Sequence, residues 1–204
     1  MSESAHANAI DRREAIRWVT AMLGGVALVG GNALVASAEV RERRAAAMRQ
    51  GVGKFTAQDV ALLDEVADTI LPETKTPGAK AVQVGAFMAL MVTDTYDEED
   101  QGVFREGMRQ LEAAGFLKAT PADRLALLER LDREQKAYMD ARRETSAQPD
   151  TPPHYFRMMK ELALLGYFTS EIGCTQAMRY EETPGRFDPC VPYAPGETIW
   201  APHA

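Results

Sequence analysis

The stretch HYFRMMKELALLGYFTSEIGCTQAMR, His154 to Arg179, decides the fold class. At helical spacing, Phe156, Met159, Ala163 and Tyr167 fall on one stripe, and Tyr155, Met158, Leu162 and Leu165 on the stripe beside it. This predicts a helix over 154–179 whose apolar width exceeds what one core-facing side needs. His154, after Pro152 and Pro153, reads as its N-terminal residue.

Outward from that helix the same period recurs. Thr56-Ala-Gln-Asp59 resembles a capping box with Asp in place of Glu. Val60, Leu63, Val66, Ala67, Ile70 and Leu71 then share a helical face until Pro72. Residues 74–80, TKTPGAK, read as a turn centred on Pro77 and Gly78, followed by an apolar helix over 79–95. The acidic run 96–100, YDEED, fits the first turn of a helix that ends at Gly115. Thr120-Pro121 opens another, with Leu125, Leu128, Leu131 and Tyr138 as its apolar face and a charged remainder. Asp64 and Asp68 read as a solvated pair near Lys75. Residues 39–50 are Ala- and Arg-rich with good helix propensity. No stretch alternates as a strand does. The expected architecture is all-α: a small helical bundle in a single domain, 39–204, with an irregular C-terminal arm over 180–204.

Composition fits an ordinary globular chain, with 204 residues, 46% hydrophobic and 26% charged. Lys and Arg number 23 against 30 Asp and Glu, a net charge of -7, so no nucleic-acid partner is expected. Two cysteines and three histidines leave little for a metal centre. No G-x-G-x-x-G, P-loop, C-x-x-C or C-x-x-C-H is present, and no catalytic, cofactor-binding or metal-ligating residue is assigned.

The N-terminus reads as an address. Arg12 and Arg13 stand in DRREAIR (11–17), an apolar Gly-broken run covers 18–36, and Ala36-Ser37-Ala38 supplies an A-x-A site. The arginine pair suits a twin-arginine export signal over 1–38, with a periplasmic destination. The A-x-A and the Gly-rich run argue against a retained membrane anchor. Folded export without a visible cofactor motif points to a cofactor held by a partner. Cys174 and Cys190 allow a disulfide in an oxidising compartment, worth ~3 kcal/mol in the chain-entropy account. Alternatively, Cys174 is a buried helix residue and Cys190 stays unbridged or bonds another chain.

Two segments resemble a known family. LLDEVADTILPETKTPGAKAVQVGAF (62–87) and FRMMKELALLGYFTSEIGCTQAMRYEETPGRFDPCVPY (156–193) are similar to the gluconate 2-dehydrogenase subunit 3 family, in I-L-P, T-P-G-A, G-Y-F-T-S-E-I-G and C-V-P-Y. The resemblance implies a non-catalytic small subunit. Its partner would be an FAD-binding large subunit of glucose–methanol–choline type, with a cytochrome c subunit as a further partner. The branch most resembled pairs with glucoside 3-dehydrogenases. Cys174 stands where the pattern suggests a small residue such as Ala, which keeps a bond from Cys190 to the partner open.

Eight of the chain's fifteen aromatic residues lie between Tyr155 and Trp200, and aromatics are enriched in protein contacts. The expected partner interface is Tyr155, Phe156, Met159, Tyr167, Phe168, Thr169, Ser170, Tyr180, Tyr193 and Trp200. The alternative is a self-sufficient periplasmic helical binding or metal protein, supported only by scattered carboxylates.

Overall fold

The computed structural model describes residues 32–144 and 151–181, together with Gly185, Cys190, Pro192 and residues 194–201, with side chains from Ala38 onward. The described residues up to Arg43 belong to one unit and those from Arg44 onward to a second. The α-helices are α1 (Asn32–Gln50), α2 (Ala57–Ile70), α3 (Val84–Thr95), α4 (Glu98–Ala113), α5 (Pro121–Glu144) and α6 (Tyr155–Phe168). The protein is all-α; among the described residues, extended pairing is limited to the isolated bridges Val52–Phe55 and Arg179–Trp200.

Helices α2, α4 and α5 start where local chemistry supplies an acceptor for their first free N–H groups. The Asp59 N–H donates to Thr56 Oγ1 at 3.2 Å and the Thr56 N–H to Asp59 Oδ2 at 2.7 Å, completing the capping box of α2. Asp97 accepts from the Asp100 N–H at 2.9 Å, so the acidic run is the start of α4, where negative charge meets the helix dipole. Gly115, at φ 72°, closes that helix in the left-handed region. Pro121 opens α5, with Thr120 Oγ1 accepting from the Asp123 N–H at 3.2 Å.

Three expectations are corrected. The apolar segment 79–95 is a 3₁₀ turn, Ala79–Val82, and then α3, because Gln83 takes φ 54° between them. On α5, Leu128 and Leu131 are buried but Leu125 is 49% exposed, and Tyr138 lies at the surface with its hydroxyl donating to the Pro152 carbonyl. The helix expected to reach Arg179 ends at Phe168. Ser170 stops it: its hydroxyl donates to the Tyr167 carbonyl at 2.6 Å and accepts from the Gly173 N–H at 3.0 Å. That short side chain offers the backbone an alternative to continuing the helix. A π-helical turn, Gly173–Ala177, follows.

Helix α6 packs against α2, α3, α4 and α5, which accounts for its apolar width. Phe156, Met158, Met159, Leu162, Ala163 and Tyr167 all enter the one hydrophobic core. Helices α2 and α3 approach closely at Gly85. A Cβ on Gly85 would stand 2.5 Å from the Asp64 N and 2.7 Å from the Val60 carbonyl oxygen, so only glycine permits the approach. There Asp64 is 7% exposed, not solvated, and its Oδ1 accepts from the Gly85 N–H at 3.1 Å. A residue of α2 thus caps α3, whose own Ncap, Gln83, makes no side-chain cap.

Burial raises the Asp64 carboxyl above its usual range, against the Gly85 hydrogen bond and Lys80, while Asp68 and Glu65 raise it further. A carboxyl raised on folding favours the folded state below its ordinary pKa, and that contribution is lost as pH rises through the folded value. Asp64→Asn removes the charge and keeps the acceptor. It is expected to be at least as stable as the parent at neutral pH and to flatten the gain in stability on mild acidification. Asp64→Ala loses the cap and costs about 1–3 kcal/mol. Urea unfolding from pH 4 to 8 checks both, and equal losses in the two variants would contradict the assignment.

Candidate interaction surface

Two sequence segments meet at the C-terminal end of α6. The Tyr167 hydroxyl, on a side chain inside the core, donates to the Pro77 carbonyl at 2.6 Å. Gly166 brings α6 close to α3, since a Cβ there would stand 2.5 Å from the Phe87 ring. The loop between α2 and α3 is also tied to itself. The Ala79 N–H donates to the Leu71 carbonyl at 2.9 Å and the Thr74 N–H to the Thr76 carbonyl at 3.0 Å. Gly78 is buried inside it, where a Cβ would lie 2.6 Å from the Glu73 N.

An ionic network holds the same loop from below. Lys80 Nζ lies 2.5 Å from Glu65 and 3.7 Å from Asp68. The hydrogen bond to Glu65 raises the Lys80 ammonium above its ordinary value, against desolvation. The other Glu65 oxygen is 2.5 Å from Arg124, which also donates to the Phe116 carbonyl at 2.9 Å and the Leu117 carbonyl at 2.7 Å. One guanidinium thus joins α5, the turn after α4 and α2, using the planar fork that lysine lacks. Pro72, Glu73, Thr74 and Lys75 are left at the surface of this loop. The sequence reading placed Lys75 beside the carboxylates; Lys80 holds that position, because the 3₁₀ turn carries it back over α2.

Beyond the π turn, Met178 is buried and the chain surfaces again. The arm returns to this point. The Arg179 N–H donates to the Ile199 carbonyl at 2.8 Å and the Ala201 N–H to the Arg179 carbonyl at 2.7 Å. Tyr180, Ile199 and Trp200 are 50%, 59% and 49% exposed, an apolar group on a polar chain.

The predicted interface residues divide. Phe156, Met159 and Tyr167 are core residues and Ser170 is buried, which corrects their placement on the surface. Their apolar area is spent on packing α6 into this chain. Tyr155 is half-buried on Gly107, where a Cβ would stand 2.1 Å from its ring, and stacks on His154 at 4.6 Å. Burial raises the Tyr155 hydroxyl and lowers the His154 imidazole. Phe168 is half-buried, edge-on to Tyr167 at 5.1 Å. Thr169, Tyr180 and Trp200 are exposed. Tyr193 and the pair Arg12 and Arg13 lie outside the described residues. No disulfide joins Cys174 to Cys190; Cys174 Sγ instead donates to the Phe168 carbonyl at 3.2 Å.

Cavities of about 70 and 160 Å³ lie beside α4, the larger lined by Arg130, Glu134, His154 and Tyr155 among others. Both fall short of the roughly 300 Å³ and more of pockets that enclose organic ligands. No cluster of three or more metal-binding side chains occurs among the described residues.

A family model described as gluconate 2-dehydrogenase subunit 3 matches residues 57–185. The chain belongs to that family. No curated protein and no solved structure matches it. The matched span runs from the first residue of α2 through the π turn, so the subunit 3 segment contains both sides of the Tyr167–Pro77 contact. Residues 194–201 of the arm lie outside it. The family name makes this chain a subunit of a multi-subunit dehydrogenase.

Tyr167→Phe keeps the ring in the core and strips the Pro77 carbonyl of its donor. The expected cost is about 1–2 kcal/mol of stability. Tyr180→Phe, at an exposed phenol, is expected to change stability by less than about 0.5 kcal/mol. Parallel urea titrations check the pair, and an unchanged Tyr167→Phe midpoint would contradict the tie.

Proposed function

We propose that this chain is the non-catalytic small subunit of an exported FAD-dependent sugar or glucoside dehydrogenase. In this reading it binds a large subunit of glucose–methanol–choline type, which carries the flavin and the chemistry. The pair folds in the cytoplasm and crosses by the twin-arginine route on the signal of residues 1–38. In the periplasm the small subunit stabilises the complex, and a cytochrome c subunit accepts the electrons. A glucoside 3-dehydrogenase is the favoured catalytic partner.

The family match carries this reading. Further support comes from the surface at the end of α6, where a tied loop lies beside exposed Thr169 and the apolar group Tyr180, Ile199 and Trp200 follows the π turn. A loop whose shape is already set loses little entropy on binding. Exposed aromatic residues are the side chains that most often anchor a protein contact.

Recovery of the C-terminally tagged chain from its native host is expected to bring down a larger flavoprotein in equal amount. The double variant Arg12→Lys, Arg13→Lys is expected to empty the periplasm of both. Trp200→Ala and Tyr180→Ala are each expected to weaken assembly by about 1–3 kcal/mol. A colourless tagged protein without a partner would overturn the proposal.

A further inference from the structure

Among the described residues, 194–201 have little to hold them. Residues 194–200 are all exposed, and Ala201, at 7% exposure, is their buried foothold among the described residues. Four interactions of the arm nevertheless converge on Arg179. Two are the backbone hydrogen bonds to Ile199 and Ala201. The third is the guanidinium, 4.7 Å from the centre of the Trp200 ring, and the fourth its 3.7 Å approach to Glu197. Met178, immediately before, is buried, so Arg179 is fixed from the core side.

We propose that Arg179 is the latch of the C-terminal arm, holding Trp200 and Ile199 beside Tyr180 as a formed patch before the catalytic subunit docks. This rests on the reading that the patch faces that subunit. The latch sets the conformation in which the partner meets the chain. Released, the arm would lose the arrangement of its two large apolar side chains relative to Tyr180. Affinity then falls with the fraction of chains in the latched form. The Arg179 Nε is buried with no hydrogen-bond partner among the described residues.

The sequence supplies a probe. Its two tryptophans are Trp18 and Trp200, so Trp18→Phe leaves Trp200 as the sole indole. In that background, acrylamide quenching and anisotropy of the purified chain report the arm, with far-UV circular dichroism as the folding control. Arg179→Ala keeps the backbone pair and removes the ring contact and the ion pair. The released fraction is expected to rise about fivefold, the scale of one partly exposed cation–π contact. Arg179→Lys keeps the charge without the planar stack and is expected to fall between. The flavoprotein purified from the tagged complex, added back, is expected to bind Arg179→Ala more weakly by up to the same factor. Unchanged Trp200 quenching in Arg179→Ala overturns the latch whatever assembly does. A freed Trp200 with full affinity also overturns it as a preorganising device, and leaves the escort reading intact. Failure of the parent chain to bind the flavoprotein counts against the escort reading, while quenching alone still decides the latch.

Discussion

A single phenol hydroxyl ties the loop between α2 and α3 to the end of α6. Tyr167 lies in the last turn of the helix that α2, α3, α4 and α5 all pack against, and its hydroxyl reaches a carbonyl ninety positions earlier in the chain. A phenol buried this deeply needs an acceptor, and the Pro77 carbonyl has no helix partner of its own. Satisfying both fixes the loop between α2 and α3 against the end of α6. Gly78, Gly85 and Gly166 are where backbone and ring come too close for a side chain. The Glu65, Lys80 and Arg124 network then closes the loop from its other side.

The consequence is a division of labour along α6. Its N-terminal and central turns are spent on the core, and its C-terminal end organises surface. Beyond the last turn lie the π turn, the Arg179 contact and the exposed aromatics. Such π turns are frequent where a chain does something other than pack. The tied loop and the exposed aromatic residues near Arg179 are the features on which the proposed subunit role draws.

Much of the fold is legible in the sequence because it rests on local chemistry. The capping box at Thr56, the acidic start of α4, Gly115 and Thr120-Pro121 are read within four residues of themselves. What escapes such reading is set by distance. Nothing near Gln83 announces a left-handed residue; the break follows from Asp64 taking over the cap of α3 from another helix. Nor does spacing reveal that Phe156, Met159 and Tyr167 face inward, since a doubly apolar helix looks the same whether its second stripe meets a partner or its own neighbours. Arg179 carries no local signature, because its contacts lie twenty residues downstream. The exposed aromatics Tyr180 and Trp200, by contrast, were legible in composition, where they stand out from an acidic, polar chain.

On the proposed reading, the C-terminal end of α6, with its loop and arm, faces the large subunit. Hydrogen–deuterium exchange of this chain, alone and in the purified complex, tests it most directly. New protection is expected over residues 72–82, 169–181 and 194–201, with the exposed face of α5 unchanged. Protection confined to α5 or to the start of α4, with those three segments exchanging as in the free chain, would contradict it.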